Sequence, residues 1–256
     1  MLVAAAVCPH PPLIVPEVAG TAAPELDDLR TACVRAIRLL AASGAGVLVV
    51  VGGAEKTARY TGDAAGTMRP WGPDVRVGHG DPCLPLSLTV GRWLLELAGV
   101  AGEPAGGAAP GTELRFHAVA ADASPAECAA IGREIARSAD RVAVLAMGDG
   151  SARLTESSPG YLHPLAVPYD RMLADAIGSA AVDRLAAMDP AEAAELWVAG
   201  RAAFQVLAAA AGDRPRRAAA PGPVAVRRFS EVLYDDAPYG VGYHVARWAF
   251  EDASPA

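Results

Sequence analysis

The chain has 256 residues, 52% of them hydrophobic by type, and a formal charge of -7 at pH 7. That charge argues against a nucleic-acid partner, which needs a concentrated basic surface, and no apolar run approaches a membrane span. The length suffices for one large domain, 1–256, with a substantial core. The opening MLVAAAVCPHPP lacks the basic n-region and long apolar h-region of a secretory leader, so a cytoplasmic protein is expected. Cys8, Cys33, Cys83 and Cys128 are scattered with no CxxC pair, which points to reduced thiols and to neither a disulfide framework nor a thiolate zinc site.

In chain order, LVAAAVC (2–8) reads as a buried strand, and it runs into a stiff loop, PHPPLIVP. Pro11 disfavours the helical region for His10, so this histidine is held extended at a strand end. A helix is predicted from about Pro24 to Ser43. GVLVVVGG (46–53), rich in β-branched residues and stopped by glycines, is the strongest strand signal, and its continuous hydrophobicity suits a strand covered on both faces. The loop 58–74 has the length and glycines of a lid. Leu86, Val90, Trp93, Leu94 and Leu97 make one face of a helix over 85–99. A glycine-rich linker (102–111) precedes a strand at 112–120, and Ser124 with Glu127 forms a capping-box signature for the next helix. RVAVLAMG (141–148) is another buried strand. Two alanine-rich helices follow, about 169–187 and 190–211, the second capped by Asp189. DRPRR (213–217) reads as a solvated basic loop. The last segments, PVAVRRFSEVLYDD and GVGYHVARWAF, read as two strands across a turn at APYG.

Alternating strands and helices predict an α/β fold: a mainly parallel central sheet flanked by helices, with a C-terminal antiparallel hairpin. Ligands of such sheets collect outside the carboxyl ends of the strands. Three loops leave those ends with a polar group close by: His10, then Glu55 in GGAEKT, then Asp149 in GDGSAR, with Ser151 and Arg153 on the same wall. One nitrogen and two oxygens could hold a divalent ion such as Fe(II), Mn(II) or Mg(II). Plainer roles stand beside this one. Glu55 could pair with Lys56 or Arg59, and Asp149 could set a turn. No GxGxxG, P-loop or GxSxG pattern is present. His79 and His163 fall in loops, His117 in a strand, and His244 alternates with Tyr243 so that one of the two faces inward. The four tryptophans, Trp71, Trp93, Trp197 and Trp248, read as packing residues.

CPHPPLIVPEV (8–18), LPLSLTVGRWLL (84–95), GDGSARLTESSPGY (148–161) and APYGVGYHVA (237–246) together resemble the class III extradiol ring-cleavage dioxygenase superfamily, subunit-B-like branch. That branch also contains the Memo-like proteins and the AmmeMemoRadiSam system protein B. The resemblance implies a non-haem Fe(II) held by two histidines and a glutamate, a catechol-like substrate, and a further histidine as acid and base. It also implies a homo-oligomer or a partner subunit. His10 matches the first iron ligand. Ala54 stands where the second histidine is expected, the GDGSAR loop has no imidazole, and PYGVGYHVA has no glutamate. Two functions follow as expectations. One is a metal-dependent oxidoreductase acting on a small aromatic compound, with His10, Glu55 and Asp149 as ligands and Asp149, Ser151 and Arg153 as catalytic residues. The other is a non-catalytic homologue, without a metal, that binds a small molecule or partner in the same crevice.

Overall fold

The computed structural model describes residues 1–101, 112–213 and 226–252; the glycine-rich linker, most of the basic cluster, and the first residues of the penultimate predicted strand lie outside them. The fold begins with β1 (Leu2–Cys8). After the proline loop come one turn of helix, α1 (Pro16–Ala19), a 3-10 segment over Gly20–Leu26, and α2 (Asp27–Ala41). The predicted helix from Pro24 is thus tighter for its first residues, because Pro24 has no N–H to donate in an α-helical ladder. β2 (Val47–Ala54) follows, then the short strands β3 (Ala58–Thr61), β4 (Gly66–Thr67) and β5 (Arg76–Val77), and the helix α3 (Leu86–Leu97). β6 (Glu113–Ala120), α4 (Pro125–Arg137) and β7 (Val142–Met147) complete the central alternation.

The two predicted alanine-rich helices are each broken. The first becomes α5 (Ala166–Gly178) and α6 (Val182–Ala186), and the second α7 (Pro190–Glu195) and α8 (Arg201–Gly212). The breaks carry left-handed residues, Ala180 at φ 50° and Trp197 at φ 54°. A side chain in that region ends a right-handed helix. β8 (Val226–Asp236) and β9 (Tyr243–Asp252) form the expected antiparallel hairpin.

Seven strands join in the order β3-β6-β2-β7-β1-β9-β8. The four inner strands β6, β2, β7 and β1 are parallel, and β3 on one edge and the β9–β8 pair on the other run antiparallel. The strong apolar runs explain why the middle is parallel: both faces are covered, with Val47, Val49 and Val51 turned into one core and Leu48 and Val50 into the other. Fully burying each such side chain stabilises the fold by about 1.5–3 kcal/mol. α2 and α3 cover the second face, and α4, α5 and α8 the first. The stretch 58–74 is not a free lid. It opens with β3, an edge strand of the main sheet, and buries Met68 completely.

The capping box on α4 forms as the sequence predicts: the Glu127 amide donates to Ser124 Oγ and the Ser124 amide donates to Glu127 Oε2. Ser124→Ala is expected to lower stability by about 1 kcal/mol, read as a shift of the urea midpoint with an unchanged slope.

Candidate functional site

β7 lies between β1 and β2, so the carboxyl ends of three parallel strands stand side by side, with Met147 level with Cys8 on one side and Gly52 on the other. His10 and Asp149 each follow two residues after those ends, and they meet. The His10 amide donates to Asp149 Oδ1 at 2.7 Å, and His10 Nδ1 lies 3.6 Å from the same oxygen. Both residues are buried, and Nδ1 is a buried nitrogen with no hydrogen-bond partner among the described residues.

Glu55 does not join them. β2 continues beside β6 to Ala54, past the level where β7 stops, and this carries Glu55 outward to an exposed position. Arg59, its suggested partner, pairs instead with Glu134. Among the described residues no group of three or more histidine, cysteine, aspartate and glutamate side chains is placed to hold a metal ion. The donors present therefore do not compose the three-ligand iron centre that the resemblance implies.

The other two predicted residues of this loop have structural duties. Ser151 is fully buried and donates its hydroxyl proton to the Leu196 carbonyl at 2.7 Å. Arg153 is held by two backbone carbonyls. Its Nε donates to the Gly160 carbonyl and its Nη1 to the Glu195 carbonyl, each at 2.8 Å.

Behind the loop stands a buried ionic group that the sequence reading missed. Asp170 on α5 accepts the Ser151 amide at 2.7 Å through Oδ1. Its Oδ2 lies 3.4 Å from His244 Nε2 without hydrogen-bond alignment, so it acts on that nitrogen as a neighbouring charge. His244 Nδ1 is 2.8 Å from Asp235, whose side chain is 52% exposed. Burial opposes the imidazolium, but the contacts and charges of Asp170 and Asp235 outweigh it and lift the His244 pKa to about 9. Gly150 and Gly242 lie against the Asp170 carboxylate so closely that a Cβ on either would run into it. Backbone bonds complete the strap, Gly150 N–H to Gly242 O at 2.7 Å and Gly242 N–H to Ser151 O at 3.0 Å.

The alternation reading at 243–244 expected one side chain inward. Both are buried, because α2 covers one face of β9 and α5 the other. Burial, with the Asp149 charge adding to it, pushes the Tyr243 phenol well above its ordinary value and keeps it protonated. The signal that could have found Asp170 is its place on the buried stripe of α5 between Ala166 and Leu173, where an unpaired carboxylate is expensive.

No family model matches the chain, and no curated protein matches it. Fifteen chains of solved structure do. One is the uncharacterized protein JW3007 from Escherichia coli K12, 13% identical, with 96% of this chain and 99% of that one covered at a TM-score of 0.45. Among the described residues no helix is long and apolar enough to cross a membrane.

Proposed function

We propose that this chain is an extradiol-dioxygenase-like protein that binds a small aromatic molecule bearing a hydroxyl group over the carboxyl ends of β1 and β7, using His10 and Asp149 without a three-ligand iron centre. The observation that carries this reading is the buried His10 Nδ1, without a hydrogen-bond partner among the described residues, beside Asp149 Oδ1, past the carboxyl ends of parallel strands, where ligands collect. The Asp149 carboxylate is fixed by the His10 amide. It favours the tautomer with the proton on Nδ1, which leaves the lone pair of Nε2, on the far side of the ring, to accept a proton-bearing hydroxyl. Tyr243, held neutral near Asp149, is a further donor. The aromatic class of ligand rests on the sequence resemblance, and the absence of a third donor on the placement of Glu55.

Calorimetric titration with catechol and simple phenols tests the reading. His10→Ala and Asp149→Asn are each expected to weaken binding by tenfold or more, on the order of 1.4 kcal/mol or above for a lost polar contact. Metal analysis after anaerobic Fe(II) addition runs alongside. Stoichiometric iron that is lost in His10→Ala, together with oxygen uptake in the presence of catechol, would replace this reading with the metal-dependent oxidoreductase. Wild-type protein that takes up no phenol would remove it.

A further inference from the structure

α2 turns Leu29, Cys33, Ala36, Ile37 and Leu40 into the core and leaves arginines on its outer side. Arg35 and Arg38, three residues apart, share one face of that helix, and both are exposed. With Arg30, Arg247 of β9 and one acid, Asp27, they line a hollow of about 930 Å³, a volume within the range of small-molecule sites. Val34, Leu39 and Leu97 give the same hollow apolar walls. A chain with a formal charge of -7 thus gathers positive charge in one concave place, which raises the local concentration of anions.

The acids nearby do not cancel that charge. Arg30 serves the fold: it pairs with Asp27 at 2.6 Å and donates to the Ile14 carbonyl at 3.1 Å. Arg35 and Arg247 share a single carboxylate, Glu231, each at 2.7 Å and each through a different oxygen. The Arg247 hydrogen bond and the Arg35 charge hold the Glu231 carboxyl below its usual range, so it stays ionised. Arg38 meets no acid among the described residues, and its Nε donates to the Ala98 carbonyl at 3.2 Å. Four arginines against Asp27 and Glu231 therefore leave two positive charges. Arg35, Arg38 and Arg247 each place a single N–H on the described residues, whereas a guanidinium carries five; the rest of each fork is open to a ligand. The Arg247 guanidinium is also held in place from one side, with Cζ 5.0 Å from the centroid of the Phe229 ring. A second hollow of about 220 Å³ shares Leu39 and Arg247 with the first. Leu40, Trp248 and Phe250 wall it, and its other two charges, Arg141 and Glu251, are of opposite sign. Apolar surface thus adjoins the cationic hollow.

We infer that the hollow beside α2 binds a soluble phosphate monoester with an apolar body. At pH 7 such a group carries about -1.5 to -2 charges and three acceptor oxygens, which suits the two unbalanced positive charges, and guanidinium forks take phosphate oxygens in pairs. Leu39, common to both hollows, leads the apolar body from the arginines toward the smaller hollow. None of the lining residues belongs to the His10 crevice, and the inference does not rest on what that crevice binds.

Calorimetric titration of the full chain with n-octyl phosphate, kept below its micelle concentration, tests it. The wild type is expected to bind one equivalent, at least tenfold more tightly than it binds inorganic phosphate, because only the ester has an apolar body to bury. Arg35→Gln and Arg38→Gln are each expected to weaken octyl phosphate tenfold or more. Glu231→Gln is expected to tighten it severalfold by removing a like charge, a gain that an unfolded variant cannot produce. Wild-type protein without saturable binding overturns the inference. So does an affinity that neither arginine variant lowers, one that Glu231→Gln fails to raise, or one that inorganic phosphate equals. Vesicles containing phosphatidic acid form a second arm: co-sedimentation that excess octyl phosphate does not compete away would place the arginines on a membrane surface and overturn the soluble ligand.

Discussion

Asp170→Ala is expected to lower the unfolding free energy by about 3–5 kcal/mol, the cost of stripping one partner from a buried ion pair, measured by urea titration at pH 7. The loss has two parts in this chain. The Ser151 amide keeps no acceptor, and the His244 imidazolium keeps only the half-exposed Asp235. The same group fixes a pH dependence in the wild type. Folding raises the His244 pKa from about 6.5 to about 9, so the folded state binds the proton more tightly than the unfolded one. The stabilisation is therefore complete below pH 6.5 and is lost as pH rises through 9, by about 3 kcal/mol in all at 1.36 kcal/mol per unit. Urea titrations at pH 6 and pH 9.5 should show that fall in the wild type and a much smaller one in His244→Gln. Equal falls in the two proteins would mean that His244 does not carry the linkage.

Gly150→Ala is expected to cost about 2–3 kcal/mol, although it adds a single methyl group, since overpacking a filled site typically costs 1–3 kcal/mol. The added Cβ would run into the Asp170 carboxylate and toward His244. Neither acid nor imidazole can retreat without breaking the contacts that hold it. The loop must then shift, and Asp149 moves with it. The phenol affinity that depends on Asp149 should fall in the same variant. Gly212→Ala is the control: none of the described residues lies within 4 Å of its would-be Cβ, and alanine there should leave stability and binding as they are or raise stability slightly. A Gly150→Ala protein as stable as that control would show that the strap between 150 and 242 is not tightly packed.

The parallel core was legible in the sequence because GVLVVVGG and RVAVLAMG are apolar without interruption, a pattern that only a doubly covered strand tolerates. The same reasoning placed His10 and Asp149 at neighbouring strand ends, where they are found. Glu55 was misplaced for a reason the sequence does not display. How far β2 runs beyond its neighbour is set by its pairing with β6 through Ala54, and register is a tertiary property. Ser151 and Arg153 were assigned to chemistry by proximity in sequence, yet each serves carbonyls of the α7–α8 turn about 40 residues away. The Asp170 and His244 contact is equally distant, joining an alanine-rich helix to the last strand. Nothing local marks such a pair except its polarity on faces that should be apolar, and the two close-packed glycines. The helix breaks at Ala180 and Trp197 escaped because alanine and tryptophan give no warning of a left-handed turn.

β1 is hydrogen-bonded on one side to β7 and on the other to β9, with Ala4 opposite Ala249 and Val7 opposite Ala246. β1 is therefore made before both of its neighbours, and one of them is the last strand of the sheet in chain order. Until β9 has been made, its apolar edge has no native partner on that flank, and His10 has no Gly242 strap to set the loop facing it. Such late closure of a central strand slows folding and leaves an adhesive edge open during translation. Newly made chains of this protein should accordingly be strong clients of ribosome-associated chaperones.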